Sequence, residues 1–189
     1  CTHALELAAL LLKEDERDEV IVPAFTFVST AAAFMLMGLR PVFADVRSCD
    51  LNIDPDHVET LITSRTRAIC IVHYAGFPAA PARFAEIARQ HQLDLIEDNA
   101  HGLFSAHDGR PLGTFGSVST LSFHETKNVT CGEGGAIHIN REDWVDRAEI
   151  LREKGTNRSR FFRGQVDKYT WVDVGSSWIQ SALLAAVLS

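Results

Sequence analysis

The segment at residues 122–135, SFHETKNVTCGEGG, places Lys127 between a serine-bearing apolar run and a glycine-rich turn. A loop lysine is ordinarily a solvated charge. A lysine that attacks a carbonyl must instead be partly desolvated, because only its deprotonated amine is a nucleophile. The glycines of residues 132–135 allow the backbone to turn tightly and to approach another group closely. This segment therefore favours Schiff-base chemistry at Lys127 if a cationic cofactor lies beside it.

A second candidate is Asp98, which closes the apolar run LDLIED and is followed three residues later by His101. A carboxylate at the bottom of a pocket can face the protonated ring nitrogen of a cofactor. Aspartate at a strand-to-helix turn also commonly caps the next helix. The spacing alone leaves both interpretations of Asp98 open.

Two further segments have residue types suited to a flat, phosphorylated ligand. Phe25 and Phe27 lie in PAFTFVST, where either aromatic ring could stack on a cofactor or simply pack in the core. Thr2 and His3 lie at the start of an apolar helical pattern, where free backbone N–H groups and the helix dipole favour a phosphate. A plain N-cap at Thr2 explains the same letters.

The pattern of apolar residues predicts an α/β fold in which strands alternate with helices of about ten residues. Strands are expected at residues 19–23, 41–46, 68–73, 93–98, 117–123 and 135–140. Helices are expected at residues 4–13, 29–37, 54–62, 82–91 and 141–154, with Asp54 as an N-cap and Pro55 following it. The alternation indicates βαβ units and a mostly parallel sheet with helices on both faces.

In an open parallel sheet, ligands bind beyond the carboxyl ends of the strands. Three predicted segments end there with reactive polar groups, namely His73, Asp98 and the loop that carries Lys127. Together the candidates match what pyridoxal 5'-phosphate requires of a protein: a phosphate anchor, a stacking ring, a carboxylate for the ring nitrogen and a lysine for its aldehyde.

Composition narrows the class of protein. The net charge of −7 argues against a general nucleic-acid binder, and no apolar run is long enough to cross a membrane. The four cysteines are scattered, so neither a zinc site nor a disulfide framework is expected, and a reducing cytoplasm is the natural setting. The chain opens at Cys1 and stops within the helical pattern of residues 182–189, so we expect a piece of a longer polypeptide.

Over essentially its whole length the sequence resembles the DegT/DnrJ/EryC1 sugar aminotransferases. The shared motifs, in order, are PAFTFVST, PVFADV, VHYAG, IEDNAHG and SFHETKNVTCGEGG. The resemblance implies the large domain of a fold-type-I pyridoxal-phosphate-dependent transferase. Because family members have roughly twice as many residues, it also implies that residues 1–189 are a partial large domain, without the N-terminal segment and the C-terminal small domain.

The resemblance also implies roles for individual residues. Lys127 would form the Schiff base, and Asp98 would pair with the ring nitrogen. The remaining cofactor contacts would be His101 at the ring oxygen, Phe27 as the stacking ring, Ser122 with the Thr2 and His3 amides at the phosphate, and Ser177 at the cofactor phosphate of a neighbouring subunit. A homodimer is therefore expected.

A narrower likeness covers residues 152–177, REKGTNRSRFFRGQVDKYTWVDVGSS. It is similar to the branch that aminates dTDP-4-keto-6-deoxy-D-glucose at C4, with L-glutamate as donor, for surface polysaccharides such as enterobacterial common antigen. The basic residues of this segment would meet the anionic nucleotide sugar, although a solvated helix end explains them equally well. They are Arg158, Arg160, Arg163 and Lys168.

Two other functions stay open at this point. A pyridoxal-phosphate dehydratase of the same fold is the nearest, but such relatives replace the lysine with histidine, so Lys127 favours transamination. A non-catalytic fragment that serves only in dimerisation or regulation is the other. Ala32, where relatives commonly have asparagine, puts substrate contacts or packing in doubt and leaves the class of chemistry unchanged.

Overall fold

A computed structural model describes residues 1–13 and 16–189 of the chain. The strands are β1 Glu19–Pro23, β2 Arg40–Ala44, β3 Thr66–Val72, β4 Asp94–Asp98, β5 Ala106–His107, β6 Arg110–Pro111, β7 Val118–Ser122 and β8 Gly135–Ile139. The helices are α1 Thr2–Leu12, α2 Val28–Leu36, α3 Pro55–Leu61, α4 Pro81–His91, α5 Glu142–Arg152, α6 Arg158–Phe162 and α7 Ala182–Ala186, with a 3₁₀ turn at Tyr74–Gly76.

Six of the strands form one sheet in the order β2-β1-β3-β4-β7-β8. All neighbours are parallel except β8, which pairs antiparallel with β7 and so returns the chain after the Lys127 loop. The prediction of a mostly parallel sheet is confirmed. The helical pattern expected at residues 182–189 is present as α7, whereas the short β5–β6 hairpin and helix α6 are elements that the apolar pattern did not predict.

The two faces of the sheet bury different residues, because successive side chains of a strand point to opposite sides. On β3, Ala68 and Cys70 pack with α1, α2 and α5, whereas Ile69 and Ile71 pack with α3 and α4. Both faces are therefore covered by helices, which explains why β1 and β3 are buried along their whole length and read as continuous apolar runs.

Two predicted helix starts have different outcomes. Asp54 is the N-cap of α3, where its side chain accepts a hydrogen bond from the Asp56 amide at 3.0 Å, and this prediction is confirmed. Helix α1 begins at Thr2 with Cys1 as its N-cap and without a capping hydrogen bond from a side chain. Thr2 is thus the first helical residue, and the interpretation of Thr2 as an N-cap is wrong.

His73 does not belong to the ligand-facing group in which the sequence placed it. Its side chain is fully buried, its Nε2 lies 2.9 Å from Oε2 of Glu97, and its Nδ1 accepts a hydrogen bond from the Ala79 amide at 3.2 Å. A ring that accepts at Nδ1 carries its proton on Nε2 and donates it to Glu97. His73 is therefore a structural residue that ties β3 to β4.

Glu97 fixes the segment that follows the β5–β6 hairpin. In addition to its contact with His73, its carboxylate accepts hydrogen bonds from the backbone amides of Gly113, Phe115 and Gly116 at 2.7–2.8 Å. Burial opposes ionisation of Glu97, but the hydrogen bonds from His73 and these amides outweigh burial and lower its pKa.

We expect Glu97→Gln to lower the free energy of unfolding by about 1–3 kcal/mol at neutral pH, because an amide nitrogen would face backbone donors. The depressed pKa means that the stabilisation by Glu97 is complete above its unfolded value of about 4.3 and is lost as pH falls through the folded value. Denaturant unfolding across this acid range should show a shallower pH dependence for Glu97→Gln than for the wild type. The exposed Glu125→Gln is the control, and equal slopes in wild type and Glu97→Gln would contradict the assignment.

No helix in the described ranges is long and apolar enough to span a bilayer. Within the same ranges, no cluster of three or more His, Cys, Asp or Glu side chains has a geometry that could hold a metal ion.

Candidate active site

A cavity of about 470 Å³ opens at the carboxyl ends of the central strands, a volume typical of a site for a small ligand or cofactor. Val72 at the end of β3, Asp98 at the end of β4 and Ser122 at the end of β7 all line it. Six of the predicted site residues share this cavity: Thr2, Phe27, Asp98, His101, Ser122 and Lys127. The parallel strands bring them together although they are far apart in the sequence.

Asp98 is the buried acid of the cavity. Its side chain is 4% exposed, its Oδ2 accepts a hydrogen bond from Thr30 Oγ1 at 2.8 Å, and its Oδ1 accepts the Ala100 amide at 3.2 Å. Turns rather than a helix follow Asp98, so the helix-cap interpretation is wrong. Burial raises the pKa of Asp98, although the Thr30 and Ala100 hydrogen bonds and the nearby His101 and Lys127 oppose the rise.

Thr30 is a candidate site residue to which the sequence gave no role. Thr26 precedes α2 and Thr30 lies in the first turn of that helix, and their hydroxyl oxygens are 2.8 Å from each other. The two hydroxyls therefore form a hydrogen-bonded chain that ends on Asp98. The signal was present in PAFTFVST as two threonines spaced by four residues just after a strand.

Lys127 lies in the loop between β7 and β8, and its backbone amide donates to the carbonyl of His124 at 2.9 Å. Gly132 supplies the tight turn of this loop with a φ of +88°. The Lys127 side chain is half-buried, and this burial lowers the pKa of its amine while the carboxylate of Asp98 acts in the opposite sense. Lys127 thus has the partial desolvation that Schiff-base chemistry requires of a lysine.

His101 lines the same cavity, next to Tyr74 and within electrostatic range of Lys127. Tyr74 meets the His101 ring edge-on, with centroids 5.9 Å apart, and Phe25 packs on Tyr74 at 4.8 Å. Burial lowers the pKa of His101, Lys127 lowers it further, and Asp98 raises it. Tyr74 and Phe25 also line the cavity, and Tyr74 is a wall residue to which the sequence gave no role.

Three more residues that line the cavity, His124, Thr126 and Glu133, form a cluster to which the sequence gave no role. Nδ1 of His124 lies 2.9 Å from Thr126 Oγ1, and its Nε2 lies 3.5 Å from an oxygen of Glu133. Ser122 Oγ accepts a weak hydrogen bond from the His124 amide at 3.4 Å. This cluster connects the strand that carries Ser122 to the glycine turn behind Lys127.

The structure does not bring every predicted residue into this cavity. His3 lines a neighbouring cavity of about 530 Å³, which Thr2 also borders, and Ser177 lies at an isolated bridge with Glu153. Phe27 lines the cavity with 74% of its surface exposed.

The predicted substrate arginines lie on or beside α6 and form ion pairs with acids of α5 and the residue that follows it. Their nitrogen–oxygen distances are 3.2 Å for Arg158–Glu153, 2.7 Å for Arg160–Asp146 and 2.8 Å for Arg163–Glu149. None of the three lines the Lys127 cavity. Their contact with substrate stays a prediction, and any anion they bind must compete with these carboxylates.

A buried acid and a partly desolvated lysine on one small cavity suit carbonyl–amine exchange, and comparison with known proteins shows the family of the chain. The model of the DegT/DnrJ/EryC1/StrS aminotransferase family matches residues 1–189. The chain belongs to this aminotransferase family.

Individual relatives of this aminotransferase chain match it closely. Among curated proteins, an uncharacterized protein of Methanocaldococcus jannaschii is 38% identical over 163 residues, which cover 86% of this chain and 42% of that protein. Among solved structures, the Helicobacter pylori PseC aminotransferase of pseudoaminic acid biosynthesis has a TM-score of 0.86 at 30% identity, over 97% of this chain and 49% of that one.

A second solved structure, 3-amino-5-hydroxybenzoic acid synthase, has a TM-score of 0.90 at 33% identity, over 99% of this chain and 48% of that one. The aminotransferase chain therefore has the α/β fold of the fold-type-I pyridoxal-phosphate enzymes. It spans about half the length of these relatives.

The residues of this aminotransferase site fit pyridoxal 5'-phosphate. Asp98 offers a buried carboxylate to a protonated ring nitrogen, and Lys127 offers a partly desolvated amine to an aldehyde. Thr2 and Ser122 bring a helix start and a hydroxyl to the same cavity for a phosphate, and His101 brings a ring nitrogen for an anionic oxygen. Each polar part of the cofactor thus has a chemically matched group.

Proposed function

We propose that the protein is a pyridoxal-phosphate-dependent aminotransferase that moves the amino group of L-glutamate to C4 of dTDP-4-keto-6-deoxy-D-glucose. The observation that carries the cofactor half of this proposal is one cavity lined by both the buried carboxyl of Asp98 and the half-buried amine of Lys127. The substrate half rests on the narrower sequence likeness in residues 152–177.

When bound, pyridoxal phosphate supplies an aldehyde that exchanges amino groups and a ring that accepts electrons. Lys127 would hold the cofactor, and its free amine would take a proton from the donor Cα in the first half-reaction and donate one to the acceptor sugar carbon in the second. The lowered pKa of Lys127 leaves this amine unprotonated, and so able to act as a base, at a lower pH than an ordinary lysine. One residue thus serves both half-reactions, which predicts ping-pong kinetics.

Asp98 keeps a ring nitrogen protonated by placing a fixed negative charge beside it, and Thr30 and the Ala100 amide orient its two oxygens. The tilted ring pair of Phe25 and Tyr74 gives the cavity an apolar wall that limits the access of water to the exchange, and Phe27 offers a ring face to the cofactor. Thr2 and Ser122 anchor the phosphate.

The identity of the acceptor substrate is tested by an amination assay. One similar structure belongs to a sugar pathway and another to a synthase of an aminated hydroxybenzoic acid. We expect the complete protein to aminate dTDP-4-keto-6-deoxy-D-glucose faster than UDP-linked keto sugars in a glutamate-dependent assay read by product mass. Amination of a ring ketone that has no nucleotide, with no turnover of the nucleotide sugars, would contradict the substrate class and leave the cofactor assignment intact.

We propose that Arg158 and Arg160 meet the diphosphate of this substrate, at a site formed with the second subunit of a homodimer. Both guanidinium groups are exposed by more than two-fifths, so a phosphate can replace their present carboxylate partners. Arg160→Ala is expected to raise the KM for the nucleotide sugar about tenfold without a comparable loss of kcat.

A matched pair of variants tests this assignment. Asp146→Asn releases Arg160 from its ion pair and is expected to lower the same KM, whereas Arg83→Ala removes an exposed, ion-paired arginine of α4 and should leave KM unchanged. An unchanged KM in Arg160→Ala would remove Arg160 from the substrate site.

Ser177 would reach the partner's cofactor phosphate in this homodimer. The product would serve surface polysaccharide synthesis in the cytoplasm, where the four free cysteines would remain reduced.

A further inference from the structure

The 3₁₀ turn Tyr74–Gly76 is held in an unusual conformation beside the cavity. Ala75 has φ +52° and ψ +21°, a left-handed conformation that costs free energy in a residue with a Cβ atom. A strained residue persists only when its surroundings over-determine it, and such residues cluster at functional sites.

The surroundings of this turn are well defined. Asn52, 1% exposed, accepts the Tyr74 amide on its Oδ1 at 3.0 Å and reaches the Phe77 carbonyl with its Nδ2 at 3.4 Å. The Gly76 amide bonds to the His73 carbonyl at 3.0 Å, and a Cβ at Gly76 would lie only 3.0 Å from the carbonyl oxygen of His101. Asn52, His73 and the close approach to the backbone of His101 therefore fix the direction of the intervening Ala75 amide.

That amide points at a side chain of the site. The Ala75 N–H donates to Nδ1 of His101 at 3.2 Å. A backbone amide can only donate, so the Nδ1 that receives it carries no proton, and a neutral His101 must carry its proton on Nε2. No residue in the described ranges hydrogen-bonds Nε2 of His101, although the ring lines the cavity.

We propose that the left-handed turn at Ala75 is a positioning device that fixes the neutral His101 ring as its Nε2–H tautomer and so gives the cavity a hydrogen-bond donor at a defined position. Ala75 acts on the site through its backbone amide, which bonds to His101. Burial, and then Lys127, lower the pKa of His101, which favours the neutral form of the ring.

The consequence for the reaction rests on the proposed function. An Nε2–H that can only donate suits an anionic oxygen such as the ring oxygenate of the cofactor, whereas the other tautomer would offer that oxygen a lone pair. The tautomer itself is a property of this chain and can be measured without a cofactor.

The test is ¹⁵N NMR of the complete, cofactor-free protein with labelled histidine and alanine, in which the His101 signals are assigned from their loss in His101→Gln. We expect a pyridine-type shift for Nδ1, a pyrrole-type shift for Nε2 and a scalar coupling across the hydrogen bond between the Ala75 nitrogen and Nδ1. A protonated Nδ1, or an absent coupling to the Ala75 amide, overturns the proposal.

Variants of the turn separate positioning from general stability. Ala75→Gly keeps the amide and relieves the backbone strain, so its signature should match the wild type. Asn52→Leu removes the acceptor of the Tyr74 amide and is expected to mix the tautomers and weaken the coupling severalfold, while Asn52→Asp retains that acceptor and should restore both. An unchanged signature in a folded Asn52→Leu variant would overturn the role of the turn.

A second readout distinguishes the failure of this inference from the failure of the proposed function. If added pyridoxal phosphate never produces a yellow absorbance band in the wild type, the cofactor assignment fails while the tautomer result stands. If the band appears but Nδ1 is protonated, only the positioning role of Ala75 fails.

Discussion

Replacing Lys127 with alanine is expected to abolish the yellow absorbance that the protein develops with pyridoxal phosphate, and with it the glutamate-dependent amination activity. The amine of Lys127 would both hold the cofactor and carry the proton in each half-reaction, so its loss removes two functions at once. A positioned acid–base group alone contributes about 10²–10⁴-fold, and we therefore expect kcat to fall by at least about 10³-fold. Absorbance titration with the cofactor and an initial-rate assay measure the two effects.

The fold should tolerate this change. The backbone amide of Lys127 bonds to His124, and this bond survives in Lys127→Ala, while no described residue hydrogen-bonds the lysine side chain. Lys13→Ala, an exposed lysine after α1, is the matched control and should keep both absorbance and rate. Borohydride reduction followed by peptide mass analysis should place the cofactor on Lys127. A yellow Lys127→Ala variant, or a label on another lysine, would remove Lys127 from the centre of the site.

The fold could be predicted from sequence because it depends on local patterns. Apolar runs such as residues 19–23 and 68–73 are buried on both faces of the sheet, so their composition alone identifies central parallel strands. The carboxyl ends of such strands meet at one edge, which is why Asp98 and Lys127 could be placed together. Helix α6 was missed because its five residues are too few to show a helical period.

The hydrogen-bond partners of a site residue depend on the direction in which its side chain points. That direction could not be predicted from the sequence. His73 and Asp98 both occur at the end of apolar runs, yet His73 turns inward to Glu97 while Asp98 turns to Thr30 and the cavity. The difference follows from the two faces of the sheet, and it becomes visible only once the register of β3 with β4 pairs Val72 with Asp98.

The arginines of α6 show a second limit of the sequence. The sequence shows that the cluster is basic. Its acidic partners are spread over residues 146–153, and they face the arginines because α5 packs against α6. The charges in a sequence indicate which ligands a surface can attract. The ion pairs of the folded chain determine which of those charges remain available to bind a ligand.

Asp98→Asn should separate stability from activity at this site, and we expect the two to change in opposite directions. The pKa of Asp98 is raised, so the folded protein binds its proton more tightly than the unfolded chain does. The free energy of unfolding contributed by Asp98 is therefore largest at low pH and decreases as pH rises through the unfolded and then the folded pKa. Above that range, the cofactor-free Asp98→Asn variant should be at least as stable as the wild type.

The substitution is sterically mild. Thr30 carries a hydroxyl that can donate or accept, so it can pair with either the oxygen or the nitrogen of the new amide, and the Ala100 amide can still meet an oxygen. Activity should nevertheless fall by about 10²–10³-fold in kcat, the loss expected when one fixed charge that stabilises a developing charge is removed. Lys127 is unchanged, so the yellow band should still form.

Denaturant unfolding of the cofactor-free protein at several pH values, together with initial rates at neutral pH, measures both effects on the same preparation. Asp108→Asn, in an exposed loop, is the matched control and should alter neither. A merely structural Asp98 would give the reverse result, with lower stability in Asp98→Asn and a rate that falls only with the folded fraction. A buried carboxylate has lost its hydration, and this loss lowers the free energy of unfolding. A variant that is at least as stable but much less active would therefore show that the carboxylate serves the ring nitrogen and not the fold.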